Sequence, residues 1–210
     1  IPLDPSITRR QILLHAGHQF VEGDVLHWWH PPDSRGIRTR FADDLLWLPL
    51  VVQAYLTETA DESILDETAP FTDGGAATIY EHCRRSIERA FHRFSARGVP
   101  LMGDMDWNDG LSAVGTDWKG ESFWVGEFLH YILADFTSLA RSRGDMIFAE
   151  RCAQVREAVR ESVNRHGWDG EWYLQATTDG GLPLGSRDNE EGKLFLNPQV
   201  WAVISGIAPE

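Results

Sequence analysis

The stretch 123-FWVGEFLHYILADFTSLA-140 carries Phe123, Trp124, Phe128, Ile132, Phe136 and Leu139, separated by one, four, four, four and three residues. An α-helix turns once in 3.6 residues, so these side chains line one continuous apolar stripe. It is the most apolar helical segment of the chain, and such a helix is stable only when other helices cover it. The same rhythm recurs on either side. Ile79, Cys83, Ile87, Ala90 and Phe94 mark a helix before it, and Phe148, Cys152, Val155, Val159 and Val163 mark one after it that stops at His166-Gly167.

Further out, a first helix is expected from about Ile7 to Phe20 with Ser6 as its N-cap. A second runs from about Asp43 to Glu58, with Asp43 and Asp44 in the first turn, where the helix dipole favours anions. A sixth begins near Asn197-Pro198, where Asn caps and Pro suits the first turn. Between the fifth and sixth, Glu171 to Gln175 reads as a short strand followed by a Gly-rich turn and a polar loop. Helices spaced roughly 35 to 45 residues apart suggest paired antiparallel helices in an α-toroid or solenoid, with no repeat at the level of residues.

The chain has 210 residues, enough for one large core, and one domain is the simpler expectation. Lys and Arg number 19 against 32 Asp and Glu, a net charge of −13 that argues against nucleic acid or an anionic membrane surface as partner. Nine Trp residues suit a neutral partner such as a sugar, whose C–H faces pack on indole rings, although most Trp are core. Cys83 and Cys152 sit on apolar helical stripes without metal-ligand spacing and read as reduced core residues. With no run of 18 apolar residues and no signal peptide, the expectation is a cytoplasmic protein. The opening at Ile1-Pro2 and the late final helix suggest a piece of something longer.

Two constellations carry chemistry. The first, 103-GDMDWNDGLSAVG-115, sets Asp104, Asp106 and Asp109 around Trp107 in a loop between helices. An aromatic beside a carboxyl raises its pKa, which is what a general acid near neutral pH needs. A turn with helix caps is the plain alternative. The second, 22-EGDVLHWWHPPDSRGIRTRFADDLLWLPL-50, places His27, Trp28, Trp29 and His30 before a Pro-Pro turn and Arg35, Arg38 and Arg40 before Asp43 and Asp44. His27 and His30 with Asp24 lack a third ligand at motif spacing, so no metal is expected. Arg and Asp together suit sugar hydroxyls, and His with Arg suits an anion such as phosphate; a solvated charged loop is the alternative.

Taken in order, EGDVLHWWHPP, RGIRTRFADDLLWLP, GDMDWNDGLSAVG and FLNPQVWAVISG resemble glycoside hydrolase family 94, the inverting disaccharide and oligosaccharide phosphorylases. The His-Trp-Trp-His-Pro-Pro and Arg-Thr-Arg-x-x-Asp-Asp forms are most similar to the branch holding the phosphorylase-like region of cyclic β-1,2-glucan synthases and the 1,2-β-oligoglucan phosphorylases. The resemblance runs from about residue 9 to 207, and four ordered motifs make it specific.

The resemblance implies an all-α, (α/α)6-barrel fold, of which residues 1–210 are about half, without the family's N-terminal β-sandwich and truncated at the C-terminus. It implies Asp109 as the general acid that protonates the departing sugar oxygen, with Asp104 and Asp106 as supporting anions and Trp107 lining the sugar site. Inorganic phosphate is the co-substrate and nucleophile, so no second carboxylate and no cofactor is expected. Arg35-Gly36 maps onto the element gripping the non-reducing-end glucose, joined by Arg40, Trp29 and one of Asp43 and Asp44. The segment is one residue shorter than in cellobiose phosphorylases, and Asp43 is favoured. The upstream phosphate-binding Arg of those relatives is absent; either His30 substitutes for it, or phosphate binding differs or is lost. The downstream His and Thr-Gly have no counterpart here, so the resemblance implies a fragment with part of the anion site, which is expected to be incomplete as a catalyst alone.

The expected substrate is thus a β-linked gluco-oligosaccharide, cleaved to α-glucose 1-phosphate. The remainder of a larger synthase or phosphorylase chain is an expected partner, as is a second copy in a homodimer. Two other readings stay open: an inverting hydrolase with Glu127 or Asp43 as base, and a non-catalytic carbohydrate-binding or chain-length-controlling module of a glucan synthase.

Overall fold

The stripe that begins at Phe123 forms α4 (Phe123–Ser142), buried on every side through its first two turns, from Phe123 to His130. Ser122 caps it by accepting the amide of Val125, 3.2 Å away. The turn at Arg143–Asp145 reverses the chain into α5 (Met146–Gly167), whose N-cap Asp145 accepts the amide of Phe148. Close approach of this antiparallel pair depends on Gly126, where a Cβ would stand 2.6 Å from Val163 Cγ2.

The computed structural model describes residues 1–209. They form two compact units. One comprises Ile1–Thr39 with Asp44–His92; the other comprises Arg40–Asp43 with the chain from Arg93 onward. The first contains α1 (Pro5–Ala16), α2 (Trp47–Thr59) and α3 (Ile79–Phe91), packed together, with two antiparallel hairpins: β1 (Leu26–His30) with β2 (Arg35–Arg38), and β3 (Thr68–Pro70) with β4 (Ala76–Thr78). In the second, α6 (Leu196–Ile204) packs on α4, and a small sheet orders β5 (Glu121–Ser122), β6 (Ala176–Thr177) and β7 (Pro183–Leu184). Among the described residues, six α-helices and few strands agree with the helical expectation.

Several boundaries differ from the sequence reading, among them the end of α3 at Phe91, which leaves Phe94 outside the helix in a bridge to Pro100. Asp4 caps α1 by accepting both the amide and the hydroxyl of Ser6, so Ser6 is the donor, and the helix ends at Ala16 rather than Phe20. Asp43 and Asp44 precede α2, which starts at Trp47, because Ala42 donates its amide to the Met105 carbonyl and Asp44 accepts from Thr39. The strand expected at Glu171–Gln175 is a single bridge between Trp168 and Tyr173, and the paired strand follows at Ala176. Phe195, not Asn197, holds the N-cap position of α6.

Cys83 and Cys152 are buried and outside any disulfide, as expected, with the Cys83 thiol pushed far up by burial. No helix among the described residues is long and apolar enough to cross a membrane.

Candidate active site

The loop from Gly103 to Leu111 is held by its own carboxylates. Asp106 is 1% exposed. One of its oxygens accepts the Asn108 amide at 2.9 Å, and the other accepts the Ser122 hydroxyl at 2.6 Å and, at 3.5 Å, Gln175 Nε2. Asn108 Oδ1 in turn accepts the Gly110 amide at 3.1 Å and caps the 3-10 turn Asp109–Leu111. Leu111 anchors the far end by burial against Met102, Val114 and Ala176. Between these fixed points Asp109 is exposed, and Trp107 is 59% exposed with its ring tilted on Trp124 at 6.4 Å between centroids.

The three carboxyls of this loop therefore differ. Burial pushes Asp106 above the usual carboxylate range despite its hydrogen bonds. Burial acts most strongly on Asp104, but the Arg40 guanidinium, the Arg40 amide and the charge of Arg93 together outweigh it and hold that carboxyl below its ordinary value. Asp104 is thus a paired anion, bonded to both the side chain and the amide of Arg40.

That pairing brings Arg40–Asp43, the part of the second motif that shares its unit, to the first motif. Phe41 bridges Gly103, the Asp104 amide donates to the Arg40 carbonyl, and Ala42 donates to Met105. Gly103, with φ of 65°, is needed there, because a Cβ would lie 2.0 Å from the Arg40 carbonyl oxygen. Arg40 and the buried Asp43 are in this way laid along the segment that leads into Asp109. The Arg40 and Arg93 guanidinium groups both lie over the Trp118 ring, at 5.2 and 5.3 Å.

In the other unit, β1–β2 pairs Trp28 with Ile37, Trp29 with Gly36 and His30 with Arg35. Alternation along the strands puts Trp28, His30, Arg35 and Ile37 on one face, all exposed. The expected sugar ligand Arg35 and phosphate ligand His30 are therefore neighbours across the hairpin. Trp29 points the other way, stacked on His18 with centroids 4.0 Å apart. Asp44 is engaged by His27 at 2.9 Å and Thr39 at 2.7 Å. Asp24 is buried in an ion-pair network with Arg38 and Arg89. The His27, His30 and Asp24 trio considered for a metal is thus dispersed into separate interactions, and no group of three or more metal-type ligands occurs among the described residues.

Glu127, considered as a base, is 0% exposed inside the packing of α4, and burial pushes its carboxyl well up. A carboxyl so enclosed does not reach a water at the surface in this arrangement. Sequence reasoning missed Ser122 and Gln175, which lie 16 and 69 residues from the carboxylate they bind. It also passed over Trp28, whose exposure only the strand register reveals.

Comparisons with known proteins agree with the motifs. The family model of the glycosyl hydrolase 94 superfamily catalytic domain matches residues 1–210. The chain is 38% identical over 220 residues to the cyclic β-(1,2)-glucan synthase NdvB of Rhizobium meliloti, covering 96% of this chain and 8% of that protein. It is 35% identical over 205 residues to solabiose phosphorylase of Paenibacillus borealis, covering 97% of this chain and 26% of the relative. The chain thus spans about a quarter or less of these relatives. The rhamnosidase from Klebsiella oxytoca superposes with a TM-score of 0.71 at 20% identity, over 99% of this chain and 36% of that one, a likeness of fold alone. With the family model matched from end to end, the chain belongs to the glycosyl hydrolase 94 superfamily, as part of its catalytic domain.

Proposed function

We propose that this chain is part of the (α/α)6 catalytic domain of an inverting glycoside phosphorylase. It acts on β-linked gluco-oligosaccharides, β-1,2-glucan first, and releases α-glucose 1-phosphate. The observation that carries the reading is Asp109: an exposed carboxyl on a backbone fixed at Asn108, Gly110 and Leu111, beside an exposed Trp107. The β-1,2 preference rests on likeness to a protein named as a cyclic β-(1,2)-glucan synthase.

Asp109 donates its proton to the leaving glycosidic oxygen while phosphate attacks the anomeric carbon from the opposite face, which inverts the configuration. Phosphate arrives already anionic, so no general base is required, and no cofactor takes part. Trp107 offers its face to a glucosyl ring. Arg40, Arg35, and Asp43 or Asp44 bind hydroxyls through charge-assisted hydrogen bonds, while Trp29, stacked on His18, supports the hairpin that carries Arg35. His30 as a hydrogen-bond donor beside the Arg35 guanidinium, which also pairs with Asp33, meets the phosphate in this reading. The setting proposed is cytoplasmic, where such an enzyme meets free phosphate.

Incubation of the complete polypeptide with β-1,2-gluco-oligosaccharides tests this. Phosphate-dependent release of glucose 1-phosphate supports it. Phosphate-independent release of reducing sugar would instead identify a hydrolase, and glucan binding without turnover a non-catalytic module.

A further inference from the structure

The buried carboxylate three residues before the proposed acid has no part in the chemistry described above, yet it has the most complete set of partners in the loop. Asp106 joins three separate pieces of chain. Its bond from the Ser122 hydroxyl ties it to the start of α4, because the same Ser122 oxygen accepts the Val125 amide. Its contact with Gln175 ties it to the segment leading into β6, where the Gln175 amide donates to the Leu184 carbonyl and the Gln175 carbonyl accepts the Phe123 amide. Its bond from the Asn108 amide ties both to the acid's own loop. The relay then continues through Asn108 to Gly110, so the two residues flanking Asp109 are fixed by one chain of hydrogen bonds that starts in the most buried helix of the protein. Asp109 itself is exposed.

We infer that Asp106 is a positioning residue: together with Ser122 and Gln175 it locks the Trp107–Asp109 loop to the N-terminus of α4 and so aims the Asp109 carboxyl. This rests on the phosphorylase reading for Asp109. A reactive group held to a fraction of an ångström needs a backbone whose own freedom has been removed, and bonds to rigid elements do that best. A carboxylate suits the role because both oxygens accept, so one side chain meets donors from the loop, from α4 and from Gln175 at once.

Asp106→Asn removes that double acceptance while keeping the shape. Its amide nitrogen faces the Ser122 hydroxyl or the Asn108 amide and accepts from neither. For the active polypeptide, kcat toward β-linked gluco-oligosaccharides should fall about 10²-fold, the scale of an ångström's misplacement, with KM nearly unchanged. The signature of misaimed acid catalysis is selective. A 2,4-dinitrophenyl β-glucoside, whose phenolate departs without a proton, should be cleaved with phosphate by the variant at close to the unsubstituted rate. Equal loss on both substrates, or KM rising with kcat unchanged, would overturn the proposal.

A readout independent of activity separates its failure from that of the functional reading. Amide exchange at Asn108 and Gly110 should accelerate in Asp106→Asn while α4 stays protected. Unchanged exchange at those two amides refutes the clamp whatever the reaction. Absence of phosphorolysis in the unsubstituted protein, with exchange altered as expected, refutes only the assigned activity.

Discussion

The loop around Asp109 and the hairpin β1–β2 both present tryptophans and charged side chains from the family's motifs, yet they hold them in opposite ways. In the loop the backbone is clamped and the side chains are free: Asp106, Asn108 and Leu111 are the anchors, while Trp107 and Asp109 face outward. In the hairpin the strand pairing fixes the backbone, and one of the two adjacent indoles is already used. Trp29 stacks on His18, and Trp28 is 47% exposed. Adjacent identical residues thus divide into one that builds the unit and one that remains available. Exposure alone does not mark function, but exposure on a fixed backbone is the arrangement a reactive or binding group needs.

The comparison breaks most visibly at Asp109. Asp109→Asn should lower kcat about 10³-fold, within the usual range for a general acid, while calorimetry finds oligosaccharide affinity preserved. Next comes the seam beneath the loop. Gly103→Ala should cost about 3 kcal/mol in urea unfolding, combining a left-handed backbone with the clash against the Arg40 carbonyl. The tryptophans sharpen the contrast further. Trp107→Ala should weaken sugar binding by about 1.5 kcal/mol with little change in stability, whereas Trp29→Ala should lower stability by about 1 to 2 kcal/mol. Equal effects of the two on affinity would erase the distinction drawn between loop and hairpin.

The smallest expected effect depends on pH. Burial holds the Glu127 carboxyl well above its ordinary value of 4.5, so the folded state binds this proton more tightly than the unfolded chain. Its contribution is complete below about pH 4.5 and declines as pH rises above that. Glu127→Met, similar in volume and without charge, should therefore raise the melting temperature more at pH 8 than at pH 5. A larger gain at pH 5 would contradict the burial argument.

How much of this was legible in the sequence follows from the range of the interactions. Periodicity located α3, α4 and α5, since the stripes at Ile79, Phe123 and Phe148 are local patterns, and capping and first-turn residues pointed to the other helices. Helix starts were less legible. Asp43 and Asp44 have the composition of a first turn, but Thr39, His27 and the Met105 carbonyl draw that segment out of α2. The acid and its tryptophan were legible because they are contiguous. Their supports were not, since Ser122 and Gln175 meet Asp106 only through the fold, and nothing local distinguishes Trp28 from Trp29. The charge pattern also misled in one respect. Asp104 was expected to act on Asp109 as a supporting anion, and in the structure Arg40 takes up its charge.

The central claim is that Asp109 donates a proton as phosphate displaces the sugar with inversion. Proton NMR of the first product formed from β-1,2-gluco-oligosaccharides and phosphate tests it most directly. The account predicts glucose 1-phosphate that is all α-anomer and that forms about 10³-fold more slowly with Asp109→Asn. A β-anomeric product, or an α-anomer formed equally well by Asp109→Asn, would contradict it.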